Sequence, residues 1–274
     1  MPYIMNNNEQ IFYETFGDGD PIFLTYGLGG NTKLWNNQIS DLSSLYQLIL
    51  WDQRGEGYSS CPLDTDGFMI DRSVEDLLVL MNELKIDSAI VGGQSLGGGV
   101  SLRFALKYPN RTKALIVCNS HSASGLASSN NMRSVRNRTL EMFEEGYPFN
   151  SIVNYLIENE PNLLSRFENN MNYKNKDIRD SLMHMFDNVK PLAYINMIKA
   201  MRLQDDVSMR LSELEMPVLL LTGDRDPSRE SMEFMSAKIS NCIYEIVSNA
   251  GHHANIDNPK DFNSKILKFI NQVR

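Results

Sequence analysis

A serine set between glycines, Gly93-Gln94-Ser95-Leu96-Gly97, constrains this chain more than any other stretch. It lies between an apolar run that reads as a β-strand, Ser88 to Gly92, and a segment of helical character, Gly98 to Tyr108. At such a strand-to-helix turn the backbone is sharp and strained, so the residues two before and two after the Ser must be small. The turn lifts the hydroxyl clear of the backbone at the helix N-terminus. There the free amides and the helix dipole favour negative charge. Local structure alone thus points to Ser95 as a nucleophile.

The rest of the chain supplies the setting. Ile11 to Phe16 alternates as a strand, Gly17 to Pro21 is a turn, and Ile22 to Tyr26 is a short apolar strand. The latter runs into Gly27-Leu28-Gly29-Gly30. Lys33 to Ser44 reads as a helix and Tyr46 to Trp51 as a buried strand. Val74, Leu77, Leu78, Met81 and Leu84 give Asp71 to Leu84 a helical period. Lys113 to Asn119, Val218 to Thr222 and Ile243 to Val247 are further strands. Strands that are nearly all apolar and alternate with helices imply a mostly parallel, doubly wound α/β sheet covered on both faces. The first two strands, joined by a tight turn, are expected to form an antiparallel edge.

Between residues 121 and 212 the rhythm changes. No strand is evident, and Arg133 to Glu145, Ser151 to Glu158 and Pro191 to Met201 have helical periodicity. The expectation is an all-helical cap at 121–212 inserted into a core of 1–120 and 213–274. Residues 122–212 carry 11 basic and 11 acidic side chains. Of the chain's 26 basic and 34 acidic residues, 15 and 23 then remain elsewhere, which places the whole net charge of −8 on the core.

That charge, with no basic face, argues against nucleic acid as a partner. Spread-out Lys and Arg argue against an anionic membrane surface. No apolar run reaches the ~18 residues of a membrane span. The polar start, Met1 to Gln10, lacks the basic and apolar regions of a signal peptide. Cytoplasm is the expected compartment. Cys61, Cys118 and Cys242 are odd in number and lack metal-ligand spacing, so they read as reduced thiols.

A serine nucleophile needs a base, and the base needs an orienting acid. Of four histidines, His252 follows Ala250-Gly251 after the last strand, at the carboxyl edge of the sheet where ligands of open α/β sheets bind. His253 reads as its packing or hydrogen-bonding neighbour, His184 as a cap residue, and His121 as a pocket residue just past a strand end. For the acid, Asp224 and Asp226 both follow the Val218–Thr222 strand. Asp226 sits deeper in the loop, before Pro227 and the next helix, and is preferred; Asp224 reads as solvent-facing or helix-capping. The oxyanion hole needs two backbone amides. Leu96, directly after the nucleophile, is one candidate and Leu28, in the glycine-rich loop after the Ile22 strand, is the other.

These residues resemble the α/β-hydrolase superfamily, in its cap-bearing branch. The resemblance covers nearly the whole chain through Tyr26–Gly30, Asp52–Ser59, Gly93–Gly97, Gly223–Asp226 and Gly251-His252. The order Ser95, Asp226, His252 is the order of that fold. Val91–Gly99, Val117–Ser120, Ala200-Met201-Arg202 and Asp205-Asp206 are similar to 3-oxoadipate enol-lactonases and carboxylesterases. One departure is Tyr26-Gly27, where relatives have His-Gly; Tyr26 can still donate the supporting hydrogen bond and is also a candidate substrate-binding residue.

The resemblance implies hydrolysis of a small-molecule carboxylic ester or lactone through an acyl-enzyme on Ser95, with no metal and no organic cofactor. A serine at the elbow excludes dehalogenase and epoxide-hydrolase chemistry, which needs a carboxylate there. Cleavage of a C–C bond in a vinylogous diketo acid would use the same triad. A non-catalytic ligand-binding protein of this fold is the remaining reading. Met132, Met142, Phe143, Met197 and Met201 are candidate pocket residues of the cap, with adaptable shape. Arg133 and Arg202 are candidate anchors for a substrate carboxylate.

Overall fold

The computed structural model describes residues 2–122, 130–165, 183 and 185–273. Eight strands form one sheet: β1 (Tyr3–Asn6), β2 (Glu9–Phe16), β3 (Pro21–Thr25), β4 (Gln47–Trp51), β5 (Ala89–Gln94), β6 (Thr112–Cys118), β7 (Val218–Gly223) and β8 (Cys242–Val247). Their order is β1-β2-β4-β3-β5-β6-β7-β8. From β4 to β8 every neighbouring pair is parallel; β1 and β2 are antiparallel to each other, and β2 is antiparallel to β4.

The period of two in the strands divides the core. Leu48 and Leu50 point to one face, where α1 (Asn36–Ser43) and the C-terminal helix Pro259–Gln272 supply Leu42, Phe262, Ile266 and Phe269. Ile49 and Trp51 point to the other, onto Val74, Leu77, Val100 and Phe104 of α2 (Ile70–Glu83) and α3 (Leu96–Lys107). Because both faces are covered, the central strands are apolar throughout and read from sequence as continuous runs.

The edge differs from the sequence expectation in two ways. The polar N-terminal segment forms β1. The strands β2 and β3 are not a hairpin, because β4 lies between them. The Gly17–Asp20 loop straddles the start of β4, whose Gln47 N–H donates to Asp20 O at 3.1 Å. Pairing on both sides of β4, Phe16 with Leu48 and Ile22 with Leu48, outweighs the local turn signal.

Between β6 and β7 the described residues carry helices and no strand. These are α4 (Asn130–Glu144), α5 (Phe149–Asn159), α6 (Pro161–Leu164) and α7 (Pro191–Arg202). They form an inserted helical cap. Val135, Leu140, Ile152, Leu156 and Leu163 build its own apolar cluster. The α7 helix is apolar on two sides. Ile195 and Ile198 face the cap cluster, while Ala193, Met197 and Ala200 join the core cluster with Phe68, Ile70 and Leu96. The cap is thereby seated on the carboxyl edge of the sheet.

Candidate active site

Ser95 joins β5 to α3 with φ 55° and ψ −120°, a conformation that L-residues rarely take and that costs about 1–3 kcal/mol. Its surroundings over-determine it. Ser95 N–H donates to Cys118 O at 2.8 Å, and Ser95 O accepts from Ser120 Oγ at 2.6 Å and from Gly99 N at 3.1 Å. A Cβ at Gly93 would stand 2.3 Å from Gly97 O, and one at Gly97 would stand 2.3 Å from Thr25 O. The two glycines are thus required by close backbone approach rather than by flexibility.

Three loops from separate strand ends converge here. His252 Nε2 lies 2.9 Å from Ser95 Oγ, and His252 Nδ1 lies 2.9 Å from Asp226 Oδ1. Burial alone would raise the Asp226 carboxyl, but His252, Ser228 and Asn119 outweigh it and bring it to about 2. An ionised Asp226 only accepts, so Nδ1 carries the proton and Nε2 is free to accept from the serine hydroxyl. Asn119 Nδ2 donates to Asp226 Oδ2 at 2.6 Å, Thr222 Oγ1 donates to the same oxygen at 3.3 Å, and Ser228 Oγ makes a short bond to it.

The backbone of His252 is held on both sides. Its carbonyl accepts from Gln94 Nε2 at 2.7 Å, and its N–H donates to Ser165 Oγ of the cap at 2.9 Å. Asp224 is not a solvent-facing or capping group. Its carboxylate accepts from Asn249 N and Ala250 N, each at 2.9 Å, and so fixes the loop leading to His252.

Leu96 is the first residue of α3, where the helix offers its amide no acceptor. Leu28 occupies the turn after β3. Tyr26 does not extend freely into the site: its hydroxyl meets His253 Nδ1 at 3.0 Å and donates to Asn255 Oδ1 at 3.3 Å. Its ring borders a cavity while packing edge-on against Trp35. Tyr26 and His253 thus brace the loop together.

Two cavities, each of about 60 Å³, meet at Ser95, His252, Arg136, Asn162 and Met201. His121 and Met132 line one; Tyr26, Leu28 and Glu160 line the other. Met142 and Phe143 pack within the cap cluster instead, and Met197 packs against the core. These three face apolar neighbours on helices that have more than one buried side. Arg133 is exposed, and Arg202 is exposed and bonded to Asn137. The cation at the cavities from this helix is Arg136, one turn from Arg133. His184 lies outside the described residues. Among the described residues no group of three His, Cys, Asp or Glu side chains is placed to hold a metal, and no helix is long and apolar enough to cross a membrane.

Asn119, Ser228, Gln94, Ser165 and Arg136 were not singled out by residue type alone. Asn119 and Ser228 had a positional signal, since Asn119 directly follows β6 and Ser228 lies two residues after Asp226. Ser165 had none, because its role depends on how the cap lies on the core.

A nucleophile elbow, a Ser–His–Asp alignment and a parallel sheet with an inserted cap define the hydrolase class of α/β folds. The chain belongs to the alpha/beta hydrolase fold family, whose profile matches residues 20–259. It is 26% identical over 260 residues to 3-oxoadipate enol-lactonase 2 of Acinetobacter baylyi, covering 93% of this chain and 90% of that protein. It is 27% identical over 263 residues to a Rhizobium rhizogenes protein named for carbamate hydrolysis, RutD, covering 92% and 93%. The enol-lactonase of Burkholderia xenovorans LB400 has the same fold, with a TM-score of 0.83 at 20% identity, over 98% of this chain and 100% of that one.

Proposed function

We propose that the chain hydrolyses carboxylic esters or lactones of small-to-medium acyl groups through an acyl-enzyme on Ser95. The observation that carries this reading is the 2.9 Å approach of His252 Nε2 to Ser95 Oγ, with Nδ1 held by Asp226.

His252 takes the Ser95 proton as Oγ attacks the substrate carbonyl. Asp226, acceptor-only and ionised, stabilises the imidazolium that forms. The Leu28 and Leu96 amides receive the oxyanion, where the N-terminus of α3 adds its field. The C–O bond breaks, and the imidazolium gives its proton to the leaving alcohol. A water molecule then passes its proton to His252 and attacks the acyl carbonyl. This step returns the carboxylic acid and free Ser95. In a lactone the leaving alcohol stays attached to the acid.

Two small cavities that share Ser95 suit an acyl group on one side and an alcohol on the other. In this reading the cap, proposed to span 121–212, covers both and limits the access of water.

The test is turnover of p-nitrophenyl butyrate by the wild-type chain and by Ser95→Ala, with fluorophosphonate labelling of both. Turnover and labelling that vanish with Ser95 support the reading. Turnover that persists in Ser95→Ala overturns it. Labelling without ester turnover, together with cleavage of a diketo acid, would move the chemistry to a C–C bond.

A further inference from the structure

The segment opposite the oxyanion loop is Asp52-Gln53-Arg54-Gly55-Glu56-Gly57-Tyr58-Ser59. It is tied to that loop at several points. Gln53 Nε2 donates to Tyr26 O at 2.7 Å. Asp52 accepts Thr32 N at 2.7 Å through one oxygen and Tyr58 N at 2.9 Å through the other. Between these anchors, Gly29 N–H donates to Glu56 Oε1 at 2.7 Å. Glu56 is only 2% exposed.

The last bond holds the peptide next to the oxyanion donor. Gly30 N–H donates to Gly27 O at 3.0 Å, which closes a turn over Gly27–Gly30. Gly29, third in that turn, has φ +74°, the type II pattern. In the alternative type I turn the Leu28–Gly29 peptide is flipped, and the Leu28 carbonyl would face Glu56 in place of the Gly29 amide. With its Oε1 accepting from the Gly29 amide, Glu56 holds the type II path for Leu28.

Charge at this place carries a penalty. A carboxylate one residue from the Leu28 amide would oppose the negative charge that the amide is there to stabilise. A neutral acid holds the same N–H without that opposition. Resting on the ester-hydrolase reading of the site, we propose that Glu56 is a positioning residue of the oxyanion loop and works as an uncharged carboxylic acid.

The surroundings agree. Burial pushes the Glu56 carboxyl up, the Gly29 amide pulls it down, Asp52 pushes it up again and Lys190 offsets part of this, leaving it at about 8. Lys190, just before α7, spends its ammonium on Ser59 O at 2.8 Å rather than on Glu56. Among the described residues, Cys61 and Tyr194 also feel Glu56, and burial raises both.

The first measurement is thermal melting of wild type and Glu56→Gln from pH 4 to pH 9, which needs no substrate. Glu56 ionises near pH 4.5 in the unfolded chain and near 8 in the folded one. Between these values the unfolded state binds fewer protons, so wild-type stability falls as pH rises. Glu56→Gln lacks that fall. Its Tm is expected to match wild type at pH 4 and to exceed it by several degrees at pH 8. Parallel curves would overturn the uncharged acid.

The second measurement is background-corrected ester turnover, each protein scaled to its own rate at pH 7. Wild type is expected to lose about tenfold in kcat by pH 9.5, and Glu56→Gln to lose less than about twofold. An equal fall in both would place the alkaline limb on Cys61, Tyr194 or another group. Glu56→Ala removes the acceptor and is expected to lower kcat at least about tenfold at pH 7; a wild-type rate there would end the positioning role. If no protein turns over any ester, the ester reading fails while the melting curves still decide the state of Glu56.

Discussion

On the sheet side of Ser95, polar groups hold one another through a hydrogen-bond network; on the cap side, long side chains with few such bonds face the cavities. Asp226 alone receives His252, Asn119, Thr222 and Ser228, all from strand ends or the loops that follow them. Among the described residues the cap joins this network through the bond from His252 N to Ser165 Oγ. It also brings Met132, Met201, Arg136, Asn162, Glu160 and Tyr194 to the cavities. In the proposed reading the geometry of Ser95, His252 and Asp226 is thus fixed by the parallel sheet, whose strands cannot slip without moving whole apolar layers. Substrate shape is left to long side chains with several rotamers.

The comparison breaks first at Asp226. If the sheet-side network sets the chemistry, Asp226→Asn lowers kcat by about 10⁴-fold through the wrong His252 tautomer, while KM changes little. A loss below about tenfold would show that the network is structural only. The same variant has a stability signature. Asp226 ionises at about 2 when folded and at the ordinary aspartate value of 3.8 when unfolded. Its depressed value means that the unfolded chain binds more protons across that interval. Its contribution is therefore complete above about pH 4 and lost as pH falls toward 2. Acid unfolding curves of Asp226→Asn should lack this component.

The same division decides what could be read in the sequence. The elbow, the Ser95, Asp226 and His252 positions and the central strands all lie where local pattern and global fold agree. A buried parallel strand is an apolar run, and a strand end is where that run stops. The β1 strand was missed because an exposed edge needs no apolar pattern, and Met1–Gln10 has three consecutive Asn. The order of β2, β4 and β3 depends on pairing across some thirty residues, which the tight Gly17–Asp20 turn cannot report. In the cap, α7 buries two sides, so its periodicity could not say that Met201 meets the cavity while Met197 meets the core. Arg133 and Arg136 differ by one helical turn, and only the seating of α4 puts Arg136 inward.

A smaller effect tests whether the cap is independent of the chemistry. Ser165 accepts the His252 amide and donates to Asn162 O at 2.8 Å, so one hydroxyl links the roof of the cavity to the base. Ser165→Ala leaves a buried N–H without its acceptor, which costs about 1–3 kcal/mol. If that bond positions His252, kcat falls about three- to tenfold beside the loss in Tm, and Ser165→Thr restores it. If kcat is unchanged and only Tm falls, the cap is a lid with no say in the geometry of the base.

The smallest effect lies in selectivity rather than rate. Met132 lines the cavity that also holds His121, and its thioether can move aside for a longer chain. Met132→Ala enlarges that cavity by roughly three heavy atoms without touching Ser95, His252 or Asp226. The ratio of kcat/KM for p-nitrophenyl hexanoate over acetate should rise about three- to tenfold, since each methylene accommodated is worth about 1 kcal/mol. Equal changes for both esters would mean that Met132 packs the cap and does not measure the chain. Soft recognition would then fall to Met201, which borders both cavities and would bias the two sides of the substrate at once.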